Sequence, residues 1–523
     1  MLDLFDKLYK PDVLSCLADL SNDEVMTPPD IANKMLDLLP QIIFSNPDTK
    51  ILDPFCKSGV FLREAAKRFI EGEKEKFDSL QECIDWIFQN QLYGIAITEL
   101  TSLLSRRSVY CSKYPNSPYS ITSFDKDNVQ GNIIYHRIEH SWIGSGAKRY
   151  CKYCGASAKE LDRDSELETH AYEFIHTSTP EDIFNMKFDV IIGNPPYQLE
   201  TGGGSEKQVA ATQAKPIYHQ FVEQAKKLNP KYITMIIPAR WYNGGIGLDE
   251  FRHSMLSEHH ISTLVDYPNS KDCFTGVDIA GGICYFLWER DTIHNTCVVQ
   301  NNIGNDTVVS KRTLDEFGDM FIRSNESISI IKKVTSKCEK FISSKAFPID
   351  AFGFPSKARG DINPGENSVK LIHSQGAGYV SRNAVKKNPE LIDKYKVTIG
   401  ILVPCNGEVG IDPAKGYKSI TTPRILAPGE ITTFSYLVIN SFDTEAEATN
   451  FQHYMLCKLP RFMMRVTYSS MHIARNNFMF VPDLDFNVAW TDELLYDYFD
   501  LNEKERNLID KTMRQMDLSG GDD

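Results

Sequence analysis

The stretch FDVIIGNPPYQLE, residues 188–200, drives an apolar run into an amide, two prolines and a phenol. Proline fixes its own φ and keeps the residue before it out of the helical region. The backbone at Asn194, Pro195 and Pro196 is therefore held extended, with carbonyls pointing in set directions and no helix to join. The Asn194 side-chain oxygen and the Pro195 carbonyl together can accept both hydrogens of an exocyclic amine. Tyr197 can stack on the ring that carries the amine. This suits a base turned out of a nucleic-acid stack, where the cost of extrusion is offset by stacking and edge hydrogen bonds. An amine nitrogen attacks an electrophile directly, so Asn194, Pro195, Pro196 and Tyr197 form a catalytic group with no cysteine nucleophile. The bland alternative is a Pro-Pro turn that only closes a strand.

A second stretch, ILDPFCKSGVFL at residues 51–62, ends an apolar run with Asp53 and opens a helix after Gly59. A glycine turn at a helix N-terminus lets a ligand approach the backbone closely, and an acid there suits a cationic amino-acid headgroup. Lys57 and the lone glycine make it a poor phosphate loop, and the chain contains no G-x-x-x-x-G-K-[ST].

Cys151 and Cys154 in RYCKYCGA, followed by His170 and His176 in ETHAYEFIH, give C-x2-C-x15-H-x5-H. That order falls near structural zinc spacing. The alternative is two packed cysteines and two surface histidines. A redox pair is disfavoured because the motif does not start a helix in a thioredoxin-like unit.

Residues 455–480 hold Lys458, Arg461, Arg465 and Arg475, no acid, and interleaved Phe462, Tyr468 and His472. Cations mixed with aromatics suit phosphate contact and base reading in DNA. Arg382, Lys386 and Lys387 form a second basic stretch. For both, the competing reading is a solvated helix face. The net charge of −13 argues against polyanion binding only if it is spread evenly, because binding depends on a local basic surface.

These residues need elements to position them. Apolar runs and helical patterns alternate through KILDPF, VFLREAAKRFI, QLYGIAI, ELTSLLSRRSVY, FDVIIG, PIYHQFVEQAKKL and YITMIIP, with STLVDYP and GGICYFLWE as the last strands. Continuous apolar strands separated by helices predict an α/β fold with a doubly wound, mostly parallel sheet. In such sheets the site lies beyond the carboxyl ends of the strands, where both motifs fall. An N-terminal helix is expected over residues 1–23, followed by a second one in which Thr27 caps a first turn opened by Pro28 and Pro29. The polar, glycine-rich run at 200–215 reads as a mobile loop beside the site. From about residue 323 the pattern changes to short strands and Gly/Pro turns, then a helical tail with frayed SGGDD. The organisation expected is a domain at 1–322, with an insertion at 140–180, and a mixed α+β domain at 323–523. A length of 523 residues supports two cores. Twelve scattered cysteines read as reduced cytoplasmic thiols, and no apolar run is long enough to span a membrane.

TPPDIA, DPFCKSGVFL, YGIAITEL and NPPY, in that order, resemble motifs X, I, II and IV of the gamma-class N6-adenine DNA methyltransferases of bacterial restriction–modification systems. The resemblance covers roughly residues 20–290. It implies a Rossmann-like methyltransferase domain and a C-terminal target-recognition domain. It also implies S-adenosylmethionine as cofactor and double-stranded DNA as partner, and leaves open a restriction nuclease on a separate chain. By that resemblance Asp53, Pro54, Phe55, Gly59 and Asn194 line the cofactor, Thr27 and Pro28 close over its methionine end, and Asn194–Tyr197 hold adenine. Two positions depart from the pattern. Lys57 stands where the family has glycine, and Ala96 where it has a ribose-binding acid, which leaves Glu99 as the substitute. An RNA or protein-amide methyltransferase, or a decayed DNA-binding specificity subunit, are the competing functions.

Overall fold

A computed structural model describes residues 25–162, 169–199, 215–245, 247–274, 277–403, 416–468 and 472–518. The expected helix at 1–23, the loop at 200–214 and the SGGDD tail lie outside the described residues. The chain divides into two units, Met1–Trp241 with Gly245–Asp319, and Tyr242–Gly244 with Met320–Asp523.

The first unit is built on a nine-stranded sheet. Its strands are β1 (Ile51–Cys56), β2 (Leu92–Ala96), β3 (Ile133–Ile134), β6 (Val190–Gly193), β7 (Tyr232–Pro238), β8 (Ile261–Tyr267), β9 (Ile283–Glu289), β10 (Cys297–Ile303) and β11 (Asp306–Arg312). A separate hairpin, β4 (Trp142–Ile143) with β5 (Tyr150–Cys151), lies between β3 and β6 in the chain. The spatial order is β11-β10-β8-β9-β7-β6-β1-β2-β3. The run β7-β6-β1-β2-β3 is parallel throughout, and β9 enters antiparallel between β7 and β8. Residues of β1, β2 and β6 are buried on both faces, which their unbroken apolar runs anticipate. The sheet is mostly parallel and alternates with helices, including Val60–Glu73, Glu99–Tyr110 and Tyr218–Lys227. The sequence reading ended the sheet at β9, but β10 and β11 extend it through a hairpin at Gly304. It also passed over the helix Leu80–Asn90, whose core contacts come from only four buried residues.

One topological feature positions the site. From β1 the chain runs outward to β2 and β3, then returns to place β6 on the other side of β1. The connections therefore diverge between β1 and β6. A crevice opens at such a reversal, outside the carboxyl ends of the two strands.

The second unit contains two three-stranded sheets. One has the order β13 (Gly376–Ser381), β12 (Ser368–His373), β16 (Glu430–Thr432), and the other β15 (Arg424–Leu426), β14 (Tyr395–Gly400), β17 (Tyr436–Phe442). Helices Glu445–Leu456, Lys458–Arg465, Asp492–Tyr498 and Glu503–Thr512 follow.

Candidate functional site

The ends of β1 and β6 bring the two sequence motifs together. The register Ile51↔Val190 and Leu52↔Ile191 sets Asp53 beside the end of β6. Thr27, Asp53, Phe55, Lys57, Ser58, Gly59, Val60, Phe61 and Asn194 line a narrow cleft. Pro54 is buried within β1, and Glu99 is exposed at the first turn of the helix Glu99–Tyr110, outside this lining.

Asn194 is almost fully buried. Its Nδ2 donates to the Val25 carbonyl at 3.0 Å and to Thr27 Oγ1 at 3.1 Å. Those bonds fix the orientation of the amide and turn Oδ1 the other way. Oδ1 is buried and has no hydrogen-bond partner among the described residues. A buried acceptor left unpaired costs about 1–3 kcal/mol, so it marks a position where a donor is missing. Thr27, expected to cap a helix, does not cap one. The helix Pro29–Asp37 starts with Pro28 in the cap position and no side-chain cap, and the Thr27 hydroxyl serves Asn194 instead.

Val25 O also accepts from Lys57 Nζ at 3.1 Å. Lys57, which departs from the expected glycine, therefore ties the turn after β1 to the segment preceding the first described helix. Gly59 sits at φ +71°, and a Cβ there would lie 2.9 Å from Ser105 O. Only glycine lets the turn pack this closely on the helix Glu99–Tyr110.

Asp53 is buried, and desolvation lifts its carboxyl to about 7, against the pull of hydrogen bonds from Cys56 and the Phe55 N–H and of the Lys57 charge. The Phe55 ring is held edge-on by Phe221 at 5.4 Å and by Phe174 at 6.5 Å. Gly193, which sequence reasoning passed over, makes room for both. A Cβ on Gly193 would lie 2.4 Å from the Phe55 ring and 2.7 Å from Asp53 Oδ1. Its signal was in the sequence: the strand ends in a glycine immediately before Asn194. Tyr197 is half-buried against the core of this unit, and burial pushes its phenol well above the usual range. Its backbone is anchored by Ile217 N–H donating to Tyr197 O at 3.1 Å.

The chain has relatives among known proteins. The Eco57I restriction-modification methylase family model matches residues 90–274. A protein of Mycoplasma pneumoniae (strain ATCC 29342 / M129 / Subtype 1) described as an uncharacterized adenine-specific methylase is 35% identical over 332 residues, 58% of this chain and 77% of that protein. The chain belongs to the family of adenine-specific methylases. Membership implies a methyl donor. Solved structures similar to this methylase include the type I restriction-modification system methyltransferase subunit from Streptococcus thermophilus (TM-score 0.33, 15% identity, 62% of this chain and 55% of that one). The type I restriction enzyme EcoKI M protein matches with TM-score 0.33 and 12% identity, over 55% of this chain and 50% of that one. The type IIL enzyme MmeI in complex with DNA matches with TM-score 0.42 and 10% identity, over 90% of this chain and 65% of that one. The methylase thus spans between half and two thirds of the length of these proteins.

The four cations expected to touch DNA are placed unequally in the second unit of the methylase. Arg461 is fully buried. Its Nε donates to Leu456 O and Cys457 O, Nη1 to Tyr417 O and Lys418 O, and Nη2 to Arg514 O. It is a structural arginine that organises carbonyls, and the expectation that it meets DNA is corrected by that burial. Its neighbours Leu459, Phe462, Met463 and Met464 are buried too, an apolar setting legible in KLPRFMMR. Lys458 pairs with Asp510 at 2.6 Å, and the Arg465 guanidinium lies 3.2 Å from the Tyr417 ring centroid. Arg475 is exposed and donates to Ser343 O. In the second basic stretch Arg382 pairs with Asp393 and Lys387 with Asp350.

The Cys/His motif also changes membership. His140, Cys151, Cys154 and His176 offer ligand atoms all within 4.8 Å of one another. His170, which spacing selected, is not in this group; its backbone is left-handed at φ +52°. The Cys151 thiol is drawn well below its usual range, chiefly by the Cys154 hydrogen bond, with burial opposing. No helix among the described residues is long and apolar enough to cross a membrane.

Proposed function

We propose that this methylase transfers a methyl group from S-adenosylmethionine to N6 of an adenine flipped out of duplex DNA, as a gamma-class, NPPY-type modification enzyme. The observation that carries this reading is Asn194, whose amide nitrogen is fully engaged and whose buried Oδ1 is left without a partner among the described residues, in the cleft that holds Asp53. An adenine amine is the donor that acceptor lacks.

The residues present fit the cofactor. Asp53 offers a carboxylate to an ammonium group, Phe55 and Val60 offer apolar surface, and the Gly59 turn admits a ligand to the backbone. When bound, S-adenosylmethionine supplies an electrophilic methyl group. Asn194 Oδ1 and the Pro195 carbonyl accept from the adenine amine and raise lone-pair density on its nitrogen, while Pro196 holds that backbone extended. Tyr197 stacks on the ring. Transfer is then a matter of positioning and electrostatics. The second unit reads the target, and double-stranded DNA is the partner.

Long-read sequencing of DNA from a methylation-deficient host that expresses the chain, beside its Asn194→Ala variant, tests the reading. N6-methyladenine in one defined sequence, absent with the variant, is expected. Unmodified DNA from a chain that still binds S-adenosylmethionine would overturn it and move the substrate to RNA or protein.

A further inference from the structure

We infer that His140, Cys151, Cys154 and His176 form a tetrahedral zinc site that holds the β4–β5 hairpin to the segment entering β6. The inference is independent of the methyl-transfer reading.

The hairpin pairs Trp142 with Cys151 and Ile143 with Tyr150. Two residues per strand cannot supply a core, and isolated hairpins are marginal in water. Yet Cys151 and Cys154 are almost fully buried and His140 nearly so. The turn closes as a knuckle, with Gly155 N–H donating to Cys151 O at 3.0 Å and Gly155 in the left-handed region at φ +70°. The register brings Ser141 opposite Lys152, whose N–H donates to Ser141 O at 2.8 Å. His140 is thereby carried to the cysteines from the opposite strand.

The tautomers of both histidines are fixed by carbonyls, which only accept. His140 Nε2 donates to Thr169 O at 2.7 Å, which leaves a lone pair on Nδ1, and Nδ1 lies 3.5 Å from Cys154 Sγ. His176 Nδ1 donates to Tyr172 O at 2.8 Å, which leaves the lone pair on Nε2. His176 Nε2 is buried and has no hydrogen-bond partner among the described residues. A metal-bound histidine characteristically donates its other ring N–H to a carbonyl or carboxylate, and both rings do so here. Two soft thiolates and two imidazoles in tetrahedral reach select zinc. Zinc–ligand bonds of about 2.0–2.3 Å put ligand atoms roughly 3.3–3.8 Å apart, so a group already within 4.8 Å closes by about an ångström.

The site has a structural consequence. The turn Glu173–Ile175 precedes His176 and seats Phe174 against Phe55 and Phe221. Zinc therefore anchors one wall of the aromatic group that backs the cleft.

The test is metal analysis of the purified full chain by plasma mass spectrometry. About one zinc per chain is expected in the wild type and below about a tenth in Cys154→Ser and His140→Ala, with full retention in His170→Ala. Cobalt-grown protein should show tetrahedral d–d bands with thiolate charge transfer, a readout that needs no variant to fold. Substoichiometric metal in the wild type, or cobalt without thiolate bands, would overturn the site. Loss in His170→Ala with retention in His140→Ala would overturn the ligand set.

Discussion

At the scale of single residues, the site is a set of polar atoms whose partners decide what remains available. Asn194 gives its donor to Val25 and Thr27 and keeps its acceptor. Asn194→Ala should therefore lower turnover on DNA by at least about a hundredfold, the order seen when one preorganised polar contact to a transition state is removed. Cofactor affinity, measured by calorimetry, should change only a few-fold. Asp53 gives a pH signature. Its folded carboxyl titrates at about 7 rather than near its ordinary 3.8. Between those values the folded chain holds a proton that the unfolded chain has lost, so this group's contribution to stability falls as pH rises through that window. For a cationic ligand the sign reverses. Affinity for S-adenosylmethionine should rise from about pH 5.5 to about 7 and then flatten, because the ligand needs the ionised form. Asp53→Asn should bind weakly and without that slope; a slope preserved in the variant would remove Asp53 from the site. At this scale the sequence was informative about residue type and less so about partners. Asn194 and Asp53 could be chosen from NPPY and DPF, but nothing local says that Thr27 serves an amide 167 positions away instead of capping a helix.

At the scale of elements, the cleft exists because β6 returns beside β1, and a glycine at the end of β6 lets the two strand ends close. Phe55 has no retreat from an added methyl at Gly193, since Phe221 and Phe174 flank it. Gly193→Ala should cost about 1–3 kcal/mol of stability by overpacking and lower cofactor affinity about tenfold by displacing Asp53. A denaturant midpoint and a binding titration would check both, and unchanged affinity would break the proposed link. The parallel strands were legible because strands buried on both faces are almost continuously apolar: YITMIIP is observed as the strand Tyr232–Pro238. The β10–β11 hairpin was not, because Gln, Asn, Thr, Ser and charged residues break up the apolar residues of its strands. The Cys/His group failed for a related reason. Spacing along the chain favoured His170, whereas hairpin register delivers His140 from upstream of the cysteines.

At the scale of the whole molecule, a chain with a net charge of −13 that binds DNA as proposed must concentrate its contacts. The basic run at 455–480 looked uniform as sequence, yet the fold divides its cations by burial and pairing. Arg461 satisfies five carbonyls in the interior of its unit, and Arg475 stands exposed. The two should therefore fail differently. Arg461→Ala strands buried carbonyls and should cost roughly 3–5 kcal/mol of stability, lowering the unfolding midpoint of the second unit. It should not change how binding varies with salt in whatever fraction stays folded. Arg475→Ala should leave the midpoint within about 0.5 kcal/mol of wild type. If its guanidinium meets a phosphate, affinity should weaken similarly on cognate and non-cognate duplexes, with the slope of log affinity against log salt falling by about 1. Fluorescence titrations at several salt concentrations would separate them. A folded Arg461→Ala protein with an altered salt slope would show that charge reaches DNA from the interior, contrary to its burial. An unaltered slope in Arg475→Ala would take that residue out of the interface.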